Sequence, residues 1–242
     1  MTNVSFAPGA TRLPGLVVKA HRVAFAGSIS VLTLWLAGCG ALVTSSPPIQ
    51  ATVSTHVSTP QVTPSTTSPY YQDALTEPSP PSGWSSDPVC SFTTLGLVVK
   101  PSGGQAYICL VPAAPVANLA VTVTVQQLSG LPSHAFGIAL RHNAAKSYYF
   151  FGVDGRGHYT FAVVVNDIIH SVIPFTANAA IHAGAGASNL LQVVAVGQQI
   201  TLFVNGSPVG EVKLSTFATG TVGLRGINDG SVRFSHLTLK KA

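Results

Sequence analysis

From residue 119 onward the chain alternates apolar and polar positions in short runs. In LAVTVTVQQ (119–127), Val121, Val123 and Val125 stand against Thr122, Thr124 and Gln126, the period of two that marks a strand with one buried face. Runs of the same kind follow at 135–141, 147–153, 158–165, 189–196, 199–204, 221–227 and 232–239, and shorter ones precede at 95–100 and 106–111. Between them stand Asp154-Gly155, Gly197-Gln198, Asn205-Gly206 and Asp229-Gly230, pairs that supply the positive φ of tight hairpins. No ten-residue window has the spacing of an amphipathic helix. The pattern predicts an all-β fold, an antiparallel β-sandwich of the jelly-roll kind.

The last run carries a defect in its phase. Val232 and Phe234 share one face, whereas Leu237 and Leu239 fall on the other. One extra residue near Ser235-His236, a β-bulge, turns all four inward; the alternative is that the two leucines pack beneath a loop.

Upstream the pattern changes twice. Residues 42–81 are dominated by Ser, Thr and Pro with little apolar periodicity, a composition that cannot bury enough surface to offset its ordering entropy. They read as a disordered, partly extended stalk, with Tyr70–Leu75 and Trp84 at the edge of the folded domain. Before the stalk, an uncharged run from Val23 to Leu36 follows Lys19, His21 and Arg22, the layout of a secretory signal. The run is short against the roughly 20 residues of a membrane span. It ends in Leu36-Ala37-Gly38-Cys39, which resembles the lipobox of bacterial lipoproteins, where the cysteine is acylated and becomes the first residue. That resemblance implies a signal peptide over 1–38, lipidation of Cys39, a linker over 39–82 and a folded domain over 83–242, held at the outer face of a bacterial plasma membrane. The other reading is an uncleaved anchor or a buried apolar segment with an incidental cysteine.

Charge adds little. The formal net charge of +5 includes Arg12, Lys19 and Arg22 of the leader, so the mature chain carries about +2 and has no clustered basic footprint for nucleic acid. With Cys39 assigned to lipid, Cys90 and Cys109 remain, an even pair in an oxidising compartment. A hairpin of 95–100 and 106–111 around Pro101-Ser102-Gly103-Gly104 would bring them into register as a disulfide; two free buried thiols are the alternative. Their spacing does not suit a metal.

The segments NLLQVVAVGQQITLFVNGSPVGEV (189–212), FATGTVGLRG (217–226) and VRFSHLTL (232–239) resemble the C-terminal half of concanavalin A-like lectin and glucanase jelly rolls, in particular their laminin G-like and keto-disaccharide hydrolase-like branches. FGIALRHNAAKSYYFFGVDGRGHYTF (136–161) fits the preceding hairpin of that group. The resemblance covers most of 119–242 and implies the sandwich, but such sandwiches host lectins, glycosidases and adhesion modules alike.

Chemistry must then come from residues. The seven acids are Asp73, Glu77, Asp87, Asp154, Asp167, Glu211 and Asp229. The Glu-x-Asp-x-x-Glu strand of the glucanases is absent, so the carboxylate pair that glycoside hydrolysis needs has no sequence signature. Turn geometry explains Asp154, Asp167 and Asp229 better than calcium does. The histidines are scattered without metal spacing, and no serine sits in a G-x-S-x-G elbow. The expectation is a non-catalytic domain without metal or cofactor. Its candidate ligand residues are Arg141, which alternates with the small Ala135, Gly137 and Ala139; Tyr149 and Tyr159, as walls on neighbouring strands; and Arg225, outward from Val222 and Leu224. Apolar bodies with polar tips suit sugars, so a carbohydrate-binding module is expected. A protein-adhesion sandwich, or a sugar-acting hydrolase or lyase, stands behind it.

Overall fold

A computed structural model describes residues 69–76, 83–84, 87–227 and 229–242. The leader, Cys39 and the stalk up to residue 68 lie outside the described residues. Among the described residues the chain is all-β. One sheet contains β1 (Tyr71–Asp73), β2 (Cys90–Thr93), β3 (Gly96–Val99), β5 (Leu119–Ser129), β10 (Ser188–Val196), β11 (Gln199–Val204), β12 (Ser207–Lys213) and β14 (Ser231–Lys240). The other contains β4 (Ala106–Leu110), β6 (Phe136–His142), β7 (Tyr148–Val153), β8 (His158–Val165), β9 (Ile168–Ala177) and β13 (Thr221–Ile227). The pairings are antiparallel throughout both sheets, ordered β12-β11-β10-β5-β14-β3-β2 and β4-β13-β6-β7-β8-β9.

The alternating positions do what their period requires. Val121, Val123 and Val125 of β5, Leu191 and Val193 of β10, and Ile200, Leu202 and Val204 of β11 are fully buried. They meet Phe136, Ile138, Leu140, Tyr149, Phe151 and Phe161 of the six-stranded sheet in one core, each buried side chain of this kind contributing about 1.5–3 kcal/mol. The turn between β11 and β12 holds Asn205 at φ 51° and Gly206 at φ 82°, the signature of a two-residue hairpin.

The phase defect in β14 is a bulge. Ser235 pairs with Thr124 and Thr238 with Thr122, so β14 spends one residue more than β5. His236 absorbs it at φ 55°, and Leu237 and Leu239 join Val232 and Phe234 in the core. Before the bulge β14 pairs with β3, and after it with β1. The sandwich therefore begins upstream of the expected start at residue 83. Leu75 is fully buried, and Asp73 accepts hydrogen bonds from the Leu75 amide (2.7 Å), the Tyr71 hydroxyl (3.0 Å) and the Trp84 indole (2.9 Å).

The disulfide Cys90–Cys109 is present, with Cα atoms 6.0 Å apart, but the expected hairpin of 95–100 with 106–111 is not. β3 pairs with β2 and β14, while β4 crosses to the other sheet and pairs with β13. Alternation shows that a strand has one buried face but not which sheet it joins. The disulfide thus links the edge strand β2 of one sheet to the edge strand β4 of the other.

Candidate functional site

The outer face of the six-stranded sheet carries a second cluster of apolar residues, separate from the sandwich core: Ala135, Ala139, Tyr148, Phe150 and Val164, with Ile108 against them. A groove of about 1080 Å³ lies over this face, just above the usual range of about 300–1,000 Å³ for ligand sites. It crosses the strands. β4 supplies Tyr107, Ile108 and Leu110 at one edge, and β9 supplies Ile169, Pro174 and Phe175 at the other. Ala135 just before β6, Tyr148 and Phe150 of β7, and Ala162 of β8 line the middle.

Of the four expected ligand residues, the structure brings only Arg225 to this groove. Tyr149 is fully buried inside the sandwich, where its ring packs on Phe217 at 4.9 Å and its hydroxyl accepts the Phe217 amide at 2.8 Å. Tyr159 alternates with the outward Thr160 and lies in the core. Arg141 is 1% exposed and corrects the expectation most sharply. Its guanidinium donates to the carbonyls of Phe217 (2.8 Å), Ala117 (2.8 Å) and Gly197 (2.7 Å), tying three loops together. The cause is a second bulge. Ala139 pairs with Gly223 and His142 with Thr221, so β6 spends an extra residue, with Arg141 at φ 51°. Gly220 permits the close approach, since a Cβ there would stand 2.3 Å from the Arg141 carbonyl carbon.

That bulge turns Arg141 away from the face of Ala139 and puts His142 into the groove instead. His142 stacks on Tyr148 with ring centroids 5.6 Å apart and planes 28° from parallel. Nothing in the alternation signalled His142. The two polar residues follow Leu140 directly, so hydrophobicity alone does not tell which of them faces out.

Arg225 lies over the Phe150 ring, its guanidinium carbon 4.3 Å from the centroid, a cation–π arrangement. Lys146 of the β6–β7 turn and Asp167 of the β8–β9 turn form an exposed pair at 3.2 Å. Among the described residues lining the groove, Asp167 is the one carboxylate. Glu211 sits on β12 of the other sheet. Asp154 serves its own turn, its carboxylate accepting the amides of Arg156 and His158, both at 2.9 Å. Among the described residues no three ligating side chains converge on a metal position.

Burial holds the His142 imidazole below its ordinary range, and the Asp167 carboxylate acts in part the other way. The folded chain therefore takes up a proton at His142 less readily than the unfolded chain. Stability is unaffected by this group above about pH 6.5 and falls as the pH drops through that value. Thermal midpoints followed from about pH 7.5 to 5.5 should decline less steeply in His142→Gln than in the wild type; parallel profiles would remove His142 as a contributor.

No known family pattern matches the chain, and no curated protein matches it. Among solved structures it is similar to the carbohydrate-binding module CBM66 from Bacillus subtilis, at 18% identity and a TM-score of 0.58 over 66% of this chain and 96% of that one. The shared fold is an antiparallel β-sandwich of the jelly-roll kind. The same jelly roll appears in apo Crh5 transglycosylase, at 11% identity and a TM-score of 0.52 over 71% of this chain and 84% of that one. It also forms part of a xylan β-1,4-xylosidase from Bacillus halodurans C-125, at 11% identity and a TM-score of 0.50, covering 70% of this chain and 39% of that one. At such identities the likeness is one of fold, and a jelly roll of this kind does not fix its chemistry.

Proposed function

We propose that the protein is a non-catalytic carbohydrate-binding module, anchored by lipid on Cys39 to the outer face of a bacterial membrane, with its glycan lying across the six-stranded sheet. The observation that carries this reading is the groove itself. Its two edges offer apolar surfaces, Tyr107 and Ile108 on β4 and Ile169 and Phe175 on β9, while His142, Arg225 and Thr160 offer polar atoms between them. Sugars present that combination, with apolar C–H faces and hydroxyl edges. Running across six strands, the groove suits a chain of several sugar units better than a terminal residue. The similarity to a carbohydrate-binding module agrees with this at the level of fold. A non-catalytic role is supported by the carboxylate inventory, because Asp167 is engaged with Lys146 and has no second acid across the groove among the described residues, whereas hydrolysis needs two carboxyls roughly 5 to 10 Å apart.

One observation favours a protein-adhesion reading in second place. β9 exposes Ile168, Ile169, Val172 and Phe175, between 39% and 62% each. Its pairing with β8 shifts register twice and contains Pro174, features that blunt an edge against strand addition. Binding of the full chain to a panel of polysaccharides separates the two. Saturable binding is expected, and Phe175→Ala, an exposed change that should leave stability within about 0.5 kcal/mol, should weaken it about tenfold through loss of stacking. Binding to none of the polymers would move the groove to the adhesion reading.

A further inference from the structure

Arg225 is 6% exposed, and its Nε is buried without a hydrogen-bond partner. Bare Nε atoms also occur at Arg141 and Arg233, but those side chains bond through their Nη atoms, Arg141 to three carbonyls and Arg233 to Gln126 at 3.0 Å. Arg156 meets the Asp154 carboxylate at 3.1 Å. Among the described residues Arg225 has no such acceptor, and its guanidinium rests on the Phe150 ring. The acids of neighbouring segments are turned elsewhere: Asp87 accepts the Tyr107 hydroxyl, and Asp229 accepts the Gly104 amide at 3.3 Å. The groove's other fixed cation, Lys146, is neutralised by Asp167. One buried positive charge is therefore left uncompensated in a groove with apolar edges, a state that costs free energy until an anion reaches it.

We propose that the groove's glycan is anionic, a polymer of hexuronate units, and that Arg225 receives a sugar carboxylate. This rests on the glycan reading above and narrows it. The planar guanidinium fork matches a carboxylate in two parallel hydrogen bonds, geometry that a hydroxyl cannot reproduce. A hexuronate ring keeps the C–H faces that fit against Ile108 and Phe175 and adds one carboxylate per unit, complementary to the Arg225 guanidinium.

The test is titration of the full chain with oligogalacturonate, with the same oligomer after reduction of its carboxyls to primary alcohols, and with a sulfated glucan. Carboxyl reduction should weaken binding by about tenfold or more, and Arg225→Gln should abolish the difference between the two oligomers while Arg225→Lys keeps part of it. Should Arg225→Gln fail to fold, the comparison of the two oligomers on the wild-type chain decides alone. Equal binding of the reduced oligomer would overturn the anionic ligand and leave the glycan reading standing. Sulfated glucan binding as tightly as oligogalacturonate would overturn the carboxylate in favour of a general anion. Absence of binding to any of these and to neutral polysaccharides would overturn both readings.

Discussion

Arg141→Ala should cost about 4 kcal/mol of stability, a large share of the 5–15 kcal/mol that holds a typical domain together. The substitution removes a charged donor from three carbonyls at once, those of Ala117, Gly197 and Phe217, and a hydrogen bond to a charged group contributes about 1.5–3 kcal/mol, less than additively within one cluster. Phe217 is doubly tied, since its amide also donates to the Tyr149 hydroxyl, so the 217 loop should loosen first. Arg141→Lys keeps the charge but not the fork that reaches three directions, and should lose roughly half as much. Chemical denaturation measures both. The ligand role expected from alternation makes the opposite forecast, lost affinity at unchanged stability, and that outcome would contradict the structural assignment.

Breaking the Cys90–Cys109 bridge is the second large effect. The cysteines are 19 residues apart in sequence, and closing a loop of that size contributes about 3 kcal/mol in the chain-entropy model. At about 2–4 °C per kcal/mol for a domain of this size, reduction should lower the thermal midpoint by roughly 6 to 12 °C. Because the bridge joins the edge strands of opposite sheets, it holds β4, one edge of the groove, against the rest of the sandwich. Reduction should therefore also weaken ligand binding. Unfolding scans with and without a thiol reductant check the first effect; an unchanged midpoint would show that core packing alone fixes β4.

What the sequence made legible follows from which faces are buried. Strands such as β5 and β11 have one buried face, so their period is visible. The β14 bulge could be read because apolar residues lie on both sides of it, Val232 and Phe234 before and Leu237 and Leu239 after, and a shift of phase between apolar residues leaves a mark. The β6 bulge at Arg141 leaves none, because the residues beyond it, Arg141 and His142, are both polar. That one hidden residue explains both the misplaced arginine and the missed histidine. β9 was invisible for a different reason: nearly all of its positions are exposed, so Ile168, Ile169 and Phe175 obey no inward period. Sheet membership was unreadable for β3 and β4, which is why the bridge was expected within a hairpin when it spans the sandwich. Arg225 was placed outward correctly because Val222 and Leu224 precede it on the inward phase, but the groove around it depends on β4 and β9, strands far away in sequence.

Backbone-amide NMR of the full chain, titrated with oligogalacturonate and with neutral oligosaccharides, would locate a bound sugar directly. Shifts are expected at His142, Tyr148, Phe150, Phe175 and Arg225, on the outer face of the six-stranded sheet, with β10, β11 and β12 of the opposite sheet left unchanged. Shifts confined to that opposite sheet, or none with any sugar, would contradict a carbohydrate site in this groove.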